Sequence, residues 1–256
     1  GGVQLVPLTE ARSGVNGVGW EGYQPPRPSW LENRVFQDYP LDELVDRIDW
    51  TPFFQAWDLK GRYPKILEDP EKGEVARQLY DDAQVMLQRI VGEKLLEARG
   101  VVGFWPANSV GDDVELYDRT ERSGEVVARL HFLRQQHHKR PDRSNRCLAD
   151  FVAPKDTGRQ DYMGLFVVST GFGAEELAAE YEKRSDDYSA IMVKALADRL
   201  AEAMAERMHE RVRREFWGYD RDEQLSNDEL IAEKYRGIRP APGYPACPDH
   251  SEKQTV

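Results

Sequence analysis

The sequence predicts an α+β fold in which a mostly antiparallel sheet is flanked by long helices. Two observations carry this expectation. Four apolar runs, "VVGFW" (Val101–Trp105), "VELYD" (Val114–Asp118), "EVVARLHFL" (Glu125–Leu133) and "DYMGLFVVSTG" (Asp161–Gly171), are separated by Gly, Asn, Asp and Ser. The first three are too close together for crossover helices, so they pair antiparallel. On either side of them lie long segments whose apolar residues recur at helical spacing.

Taken in order, residues 1–37 hold "GGVQLVPL", "RSGVNGVG" and "YQPPRPSW", a Gly- and Pro-rich opening that reads as a linker from an upstream module. The domain is expected to span 38–256. In "YPLDELVDRIDW", Leu41, Leu44, Val45 and Ile48 repeat as on a helix. From Pro70 to Arg99, Val75, Leu79, Val85 or Met86, Ile90 and Leu95 suit a long amphipathic helix that Gly100 would end. The strands follow. A second long helix is capped by Asp186 and traced on one side by Tyr188, Met192, Leu196, Leu200, Met204, Met208 and Val212, with Gly218 at its end. "SNDELIAEKYR" is a shorter helix with Ser226 or Asn227 as cap, Glu229 in the first turn and Gly237 as stop. The four prolines of "IRPAPGYPACPDH" (Ile238–His250) fix φ and remove donors, so this stretch is a stiff irregular loop.

Composition narrows the function. Of 256 residues, 32% are charged and 40% hydrophobic, and no apolar run approaches the roughly 18 residues of a membrane span. A membrane role is therefore not expected. The formal charge of −11 repels phosphate backbones, so no nucleic-acid partner is expected. Cys147 and Cys247 are far apart and outside any C-x-x-C spacing, which argues against a disulfide framework, a zinc site or a redox pair and fits a cytoplasmic protein. One basic cluster, Arg134, His137, His138, Lys139, Arg140, Arg143 and Arg146, reads as a solvated loop, with a docking patch for an acidic protein as the alternative.

Enzyme templates are mostly empty: there is no G-x-S-x-G, P-loop or H-E-x-x-H. His209–Glu210 reads as a surface pair. Gly171-x-Gly173 lies between a strand and a helix but lacks the remaining glycines of a dinucleotide loop, so it reads as a turn. Adjacent His137 and His138 point apart and make a poor metal pair. Against this blank stand Asp49 before "WTPFF", Glu202 and Glu206 on the long helix, Glu233, and Arg239 at the start of the proline loop. Arginine takes a carboxylate and a carboxylate holds an ammonium, so Arg239 with Asp49 would suit an amino-acid zwitterion.

Several long stretches, "IDWTPFFQAW", "YPKILED", "RGVVGFWPANSVGDDVELY", "LRQQ", "CLADFVAPK", "DDYSAIMVKALADRLAEAMAERMHERVRREFWGY" and "LSNDELIAEKYRGIRPAPGYPACPDHSEK", occur in the order in which similar segments occur in the C-terminal activation domain of cobalamin-dependent methionine synthase. The resemblance runs from about Asp38 onward. It implies a helmet-shaped domain with a bent sheet that binds S-adenosylmethionine and acts on cobalamin carried by a neighbouring module. A flavodoxin-type donor would supply the electron, and cob(II)alamin would be returned to methylcobalamin. The domain would work as part of the enzyme, in methionine biosynthesis, without turnover of its own. By the matched motifs, Arg239 would hold the ligand's carboxylate and Asp49 its amino group. Ala241 and Tyr244 would line the adenine and cobalamin side, with Glu202 and Glu233 in support. No catalytic triad and no metal site are implied, because reduced cobalt is itself the nucleophile.

The resemblance also implies a further segment with a "WPGASVSG"-like turn and a pocket-completing tyrosine, which the sequence to Val256 does not contain; a domain cut short at its C-terminus is expected. The competing readings are a docking module that has lost S-adenosylmethionine binding and a stand-alone methyltransferase. The latter would need an early glycine loop and a substrate base.

Overall fold

The computed structural model describes residues 4–13, 19–120, 124–139 and 143–256. In chain order the elements begin with α1 (Leu8–Ser13), β1 (Asn33–Phe36), α2 (Asp42–Val45), α3 (Trp50–Ala56) and α4 (Gly73–Gly92). Then come β2 (Glu97–Val110), β3 (Asp113–Tyr117), β4 (Val126–His131) and β5 (Asp161–Phe172), followed by α5 (Ala174–Glu182), α6 (Asp187–Arg211) and α7 (Asn227–Ile231). All strand pairs are antiparallel, as the strand runs predict, and the sheet is curled, as the resemblance implies.

β2 is the spine. One of its edges runs along β5 from Glu97 to Ala107. The other pairs first with β1, through Gly100–Gly103, and then with β3, through Ala107–Val110. β4 adds to β3. The apolar residues of β2 are therefore shared between two clusters. Ala98, Val102 and Phe104 join the large core under α2, α3, α4 and α6, while Ala107 joins Val114, Leu116, Leu130, Cys147, Ala149 and Val152.

The helices show why they sit on the sheet. α4 buries Ala76, Leu79, Ala83, Met86, Leu87 and Ile90, one face at helical spacing, and each large aliphatic side chain so buried contributes about 1.5–3 kcal/mol. α6 buries Met192, Leu196, Leu200, Met204 and Met208, as the sequence pattern predicts, though Tyr188 at its start is exposed and donates its hydroxyl hydrogen to Asp82. Asp186 caps α6 by accepting from the Ser189 N–H at 3.0 Å. After Arg211 the helix continues as a π-turn over Val212–Phe216, with the Trp217 N–H reaching the Val212 carbonyl at 2.9 Å.

Several boundaries differ from the sequence expectation. The helix expected from Pro70 to Arg99 ends at Gly92: Lys94 adopts φ 51°, and the Leu95 N–H bonds the Ile90 carbonyl at 3.0 Å, a Schellman ending built without glycine. Met86 takes the inward position, and Val75 and Val85 face solvent. Glu97–Gly100 is strand because β5 offers it a partner, with Gly100 opposite Val168. The helix expected across Leu41–Ile48 is one short turn followed by the separate α3, which Asp49 caps. α7 stops at Ile231 rather than near Gly237, because Glu233 turns the chain at φ 54° and the Lys234 N–H bonds the Glu229 carbonyl.

Part of the stretch read as linker is held on the domain. β1 pairs with β2, Trp30 packs on Phe104 and Phe216, and the Pro26 carbonyl accepts from Trp217 Nε1 at 2.7 Å. The "RSGVNGVG" part of that reading, and Arg140 of the basic cluster, fall largely or wholly outside the described residues. Arg134 is not solvated: it is buried between Asp112 and Asp150, at 2.8 and 2.6 Å. Among the described residues no helix is long and apolar enough to cross a membrane.

Candidate functional site

The expected site residues gather in part around one face of α6. Glu202, Glu206, His209 and Arg213 follow one another at i, i+4, i+7 and i+11, which at 3.6 residues per turn is a single polar stripe beside the apolar one. The proline loop lies against this stripe. Arg239 Nη2 stands 3.1 Å from Glu206 Oε2 and 3.7 Å from Glu202 Oε1. Glu206 is buried and Glu202 exposed. Two atoms of the pair are buried without a partner, Glu206 Oε1 and Arg239 Nε. Burial raises the Glu206 carboxyl above the usual range against the opposing pull of Arg239 and Arg213.

Beneath this pair lies a sealed network. Arg213 has no exposed surface. Its Nε and Nη2 meet Glu223 at 2.6 and 2.7 Å as a two-pronged ion pair, its Nη1 meets His209 Nδ1 at 2.7 Å, and its guanidinium covers the Tyr235 ring at 4.3 Å. His209 packs edge-on to the same ring, with centroids 4.8 Å apart. Burial, with Arg213 and then Arg239 adding positive charge, drives the His209 pKa down to about 3, so the ring is neutral. The surface reading of His209–Glu210 is thus overturned, since both are buried and Glu210 is held by Arg47, Arg207 and Arg214.

The other expected residues are placed as follows. Asp49 is half-buried and caps α3, accepting from the Thr51 N–H at 2.9 Å; among the described contacts it makes none with Arg239. Its neighbour Ile48 does approach α7, with its carbonyl 3.5 Å from Asn227 Nδ2. Glu233 is exposed, two residues past the end of α7 at Ile231. Ala241 and Tyr244 are exposed on the proline loop. That loop is closed by two bonds at Cys247, whose carbonyl accepts from the Gly243 N–H at 2.7 Å and whose N–H donates to the Tyr244 carbonyl at 2.9 Å. Gly243 holds φ 101°, and a Cβ there would collide with the His250 ring.

Sequence reasoning missed Tyr235 beside Arg239 and the Arg213–Glu223 pair in the network beneath it. The available signal was the polar stripe on α6, of which only Glu202 and Glu206 were singled out. Two surface cavities lie elsewhere. One of about 430 Å³ is lined by Thr51, Gln55, Asp58, Lys60, Gly61 and Arg62, one turn along α3 from Asp49. The other, of about 600 Å³, is lined by residues including Arg12, Trp20, Asp112, Arg134 and Lys155. Neither includes Arg239.

What the arrangement offers chemically is a guanidinium clamped from one side, with donors to spare, beside several carboxylates and a rigid loop. Such groups are suited to holding a carboxylate, and among the described residues of this arrangement no nucleophile is paired with a base. Comparison with known proteins points the same way. Residues 40–256 match the family described as "Vitamin B12 dependent methionine synthase, activation domain". A solved structure described as "Crystal Structure of the MetH Reactivation Domain bound to AdoHcy" is 51% identical and superposes with a TM-score of 0.92, over 98% of this chain and 76% of that one. With the family matched over most of its length and the fold shared at that identity, the chain belongs to the activation-domain family of vitamin B12-dependent methionine synthase.

Proposed function

We propose that the chain binds S-adenosylmethionine, with Arg239 holding the carboxylate of its amino-acid end and Asp49 its amino group, and serves the reductive methylation of cobalamin carried by a neighbouring module. The observation that carries this reading is Arg239 itself. Glu206 holds it at the edge of α6 by one hydrogen bond, with Glu202 and Tyr235 beside it, and its buried Nε has no partner, a donor free for a carboxylate. The relative described as bound to AdoHcy, at 51% identity, supports the same ligand class.

When bound, S-adenosylmethionine would supply an electrophilic methyl group for the cobalt of the neighbouring module, reduced beforehand by one electron from a flavodoxin-type donor, and S-adenosylhomocysteine would leave. This chain's residues orient and do not react. Arg239 and Asp49 fix the amino-acid end, Ala241 and Tyr244 form a wall on the preformed proline loop, and the exposed carboxylates of Glu202 and Glu233 place negative charge near a cationic ligand. A rigid loop loses little entropy when it closes on a ligand. The domain extends over 38–256 in this reading, and its place of work is the cytoplasm.

The test is calorimetric titration with S-adenosylmethionine. Arg239→Ala should weaken binding at least about tenfold, the loss expected for one charge-assisted hydrogen bond. A folded Arg239→Ala variant with unchanged affinity removes Arg239 from the site, and a folded wild-type chain that gives no heat favours a docking module instead.

A further inference from the structure

Two arginines on the same side of α6 meet glutamates in different ways. Arg213 is gripped by Glu223 through two short bonds, to Nε and Nη2, and has no donor nitrogen left without a partner. Glu206 meets Arg239 at Nη2 alone, at 3.1 Å; Glu202 stands 3.7 Å from the same nitrogen, Tyr235 also interacts with the guanidinium, and Nε is buried with no partner. Glu206 is itself nine-tenths buried, and its second oxygen is also unpartnered. A glutamate serving as the permanent counter-ion of Arg239 would meet the fork with both oxygens, as Glu223 does. A one-pronged contact at Nη2 fixes the direction of the guanidinium and leaves the Nε–H donor unused.

Glu206 is well placed for that task. It stands one turn before His209 on α6, and His209, Arg213 and Tyr235 are locked to one another beneath it. Arg239 by contrast comes from an irregular loop and carries a long flexible side chain. The carboxylate anchored on the helix therefore holds the longer, more flexible side chain.

From this geometry we infer that Glu206 is a positioning residue: its carboxylate, anchored on α6, holds Arg239 by Nη2 so that the remaining guanidinium donors face the carboxylate of an amino-acid ligand. The inference rests on the binding reading above and deepens it. It assigns to Glu206 an effect on ligands that passes wholly through Arg239 and therefore acts only on ligands that carry a carboxylate.

The experiment is a binding cycle on this chain with S-adenosylmethionine and with decarboxylated S-adenosylmethionine, which lacks only that group. Glu206→Gln keeps a carbonyl acceptor for Nη2 and Glu206→Leu removes it. Both are checked for folding by circular dichroism, and Glu206→Gln carries the test if Glu206→Leu does not fold. The expected result is weaker binding of S-adenosylmethionine, roughly tenfold for Glu206→Leu and less for Glu206→Gln, with under about twofold change for the decarboxylated ligand. In an Arg239→Ala background neither substitution should weaken binding further. Equal losses for both ligands, or losses that persist without Arg239, would mean that Glu206 acts on the fold at large and overturn the inference. Tighter binding in Glu206→Gln would make Glu206 a competitor of the ligand and also overturn it. Absence of binding by the wild-type chain overturns the binding reading itself, and the inference with it; wild-type binding without coupling overturns the inference alone.

Discussion

His209 is the side chain whose environment departs furthest from what its sequence neighbours suggest. In "RMHERVRREF" it sits among charges, yet it is buried as a neutral ring that accepts from Arg213 and lies against Tyr235, with Arg239 and Glu206 nearby. Its folded pKa of about 3 lies below the ordinary histidine value near 6.5. Between these values the unfolded chain binds more protons than the folded one. The stability due to His209 is therefore complete above pH 6.5 and is lost as pH falls toward 3. Urea midpoints at pH 7.5 and 5.0 should move closer together in His209→Gln, which keeps an acceptor for Arg213, than in the wild type. An identical pH dependence in both would show that the ring is not kept neutral. The sequence showed the polar stripe through Glu202 and Glu206 and pointed to Arg239, but it did not show the partners. Glu223 and Tyr235 come from separate loops after the helix, and no spacing rule links a residue on a helix to one that folds back over it.

Among the elements, α3 carries the sharpest question, because Asp49 is asked to do two things. It caps the helix through the Thr51 N–H, and in the proposed site it also holds an amino group. Substitution separates the roles. Asp49→Asn keeps an equally good cap and removes the charge, whereas Asp49→Ala loses both, at a cost of about 1 kcal/mol in stability. The expected outcome is unchanged thermal stability but weaker S-adenosylmethionine binding for the asparagine variant. Asparagine binding as well as the wild type would leave Asp49 as a cap and nothing more. Element type was largely legible: α6 with its Asp186 cap, the capping residue Ser226, and four of the five strands follow from periodicity and turn residues. Boundaries were less so. α4 ends at Gly92 and its closing turn is made by Lys94, without the glycine that normally takes that left-handed position, and the four-residue β1 has no pattern of its own, existing because β2 offers it an edge.

At the scale of the whole molecule, one strand joins two cores and one helix carries the candidate site. β2 is long enough to serve both the helical core and the smaller one under β3 and β4, so residues from Trp30 to Val212 are packed on a single framework. The overall fold and the family were readable because long ordered stretches resemble known ones. The pairing of Arg239 with α6 was not, since it depends on how a loop without regular structure returns to the helix.

The π-turn at the end of α6 has a consequence for register. An extra residue in Val212–Phe216 offsets everything beyond it by roughly 100° about the helix axis, relative to an unbroken α-helix. That offset sets Trp217 against Phe104 and points its indole N–H at the Pro26 carbonyl. Deleting one residue there would restore regular helical bonding and yet swing Trp217 away from both. Thermal unfolding of such a variant should show a large loss of stability despite an intact helix, and a neutral result would mean that the phase is set elsewhere. The helix and the N-terminal segment would then be matched like the teeth of two gears, by angle and not by strength of contact, so that a change of length is more damaging at this turn than a change of side chain.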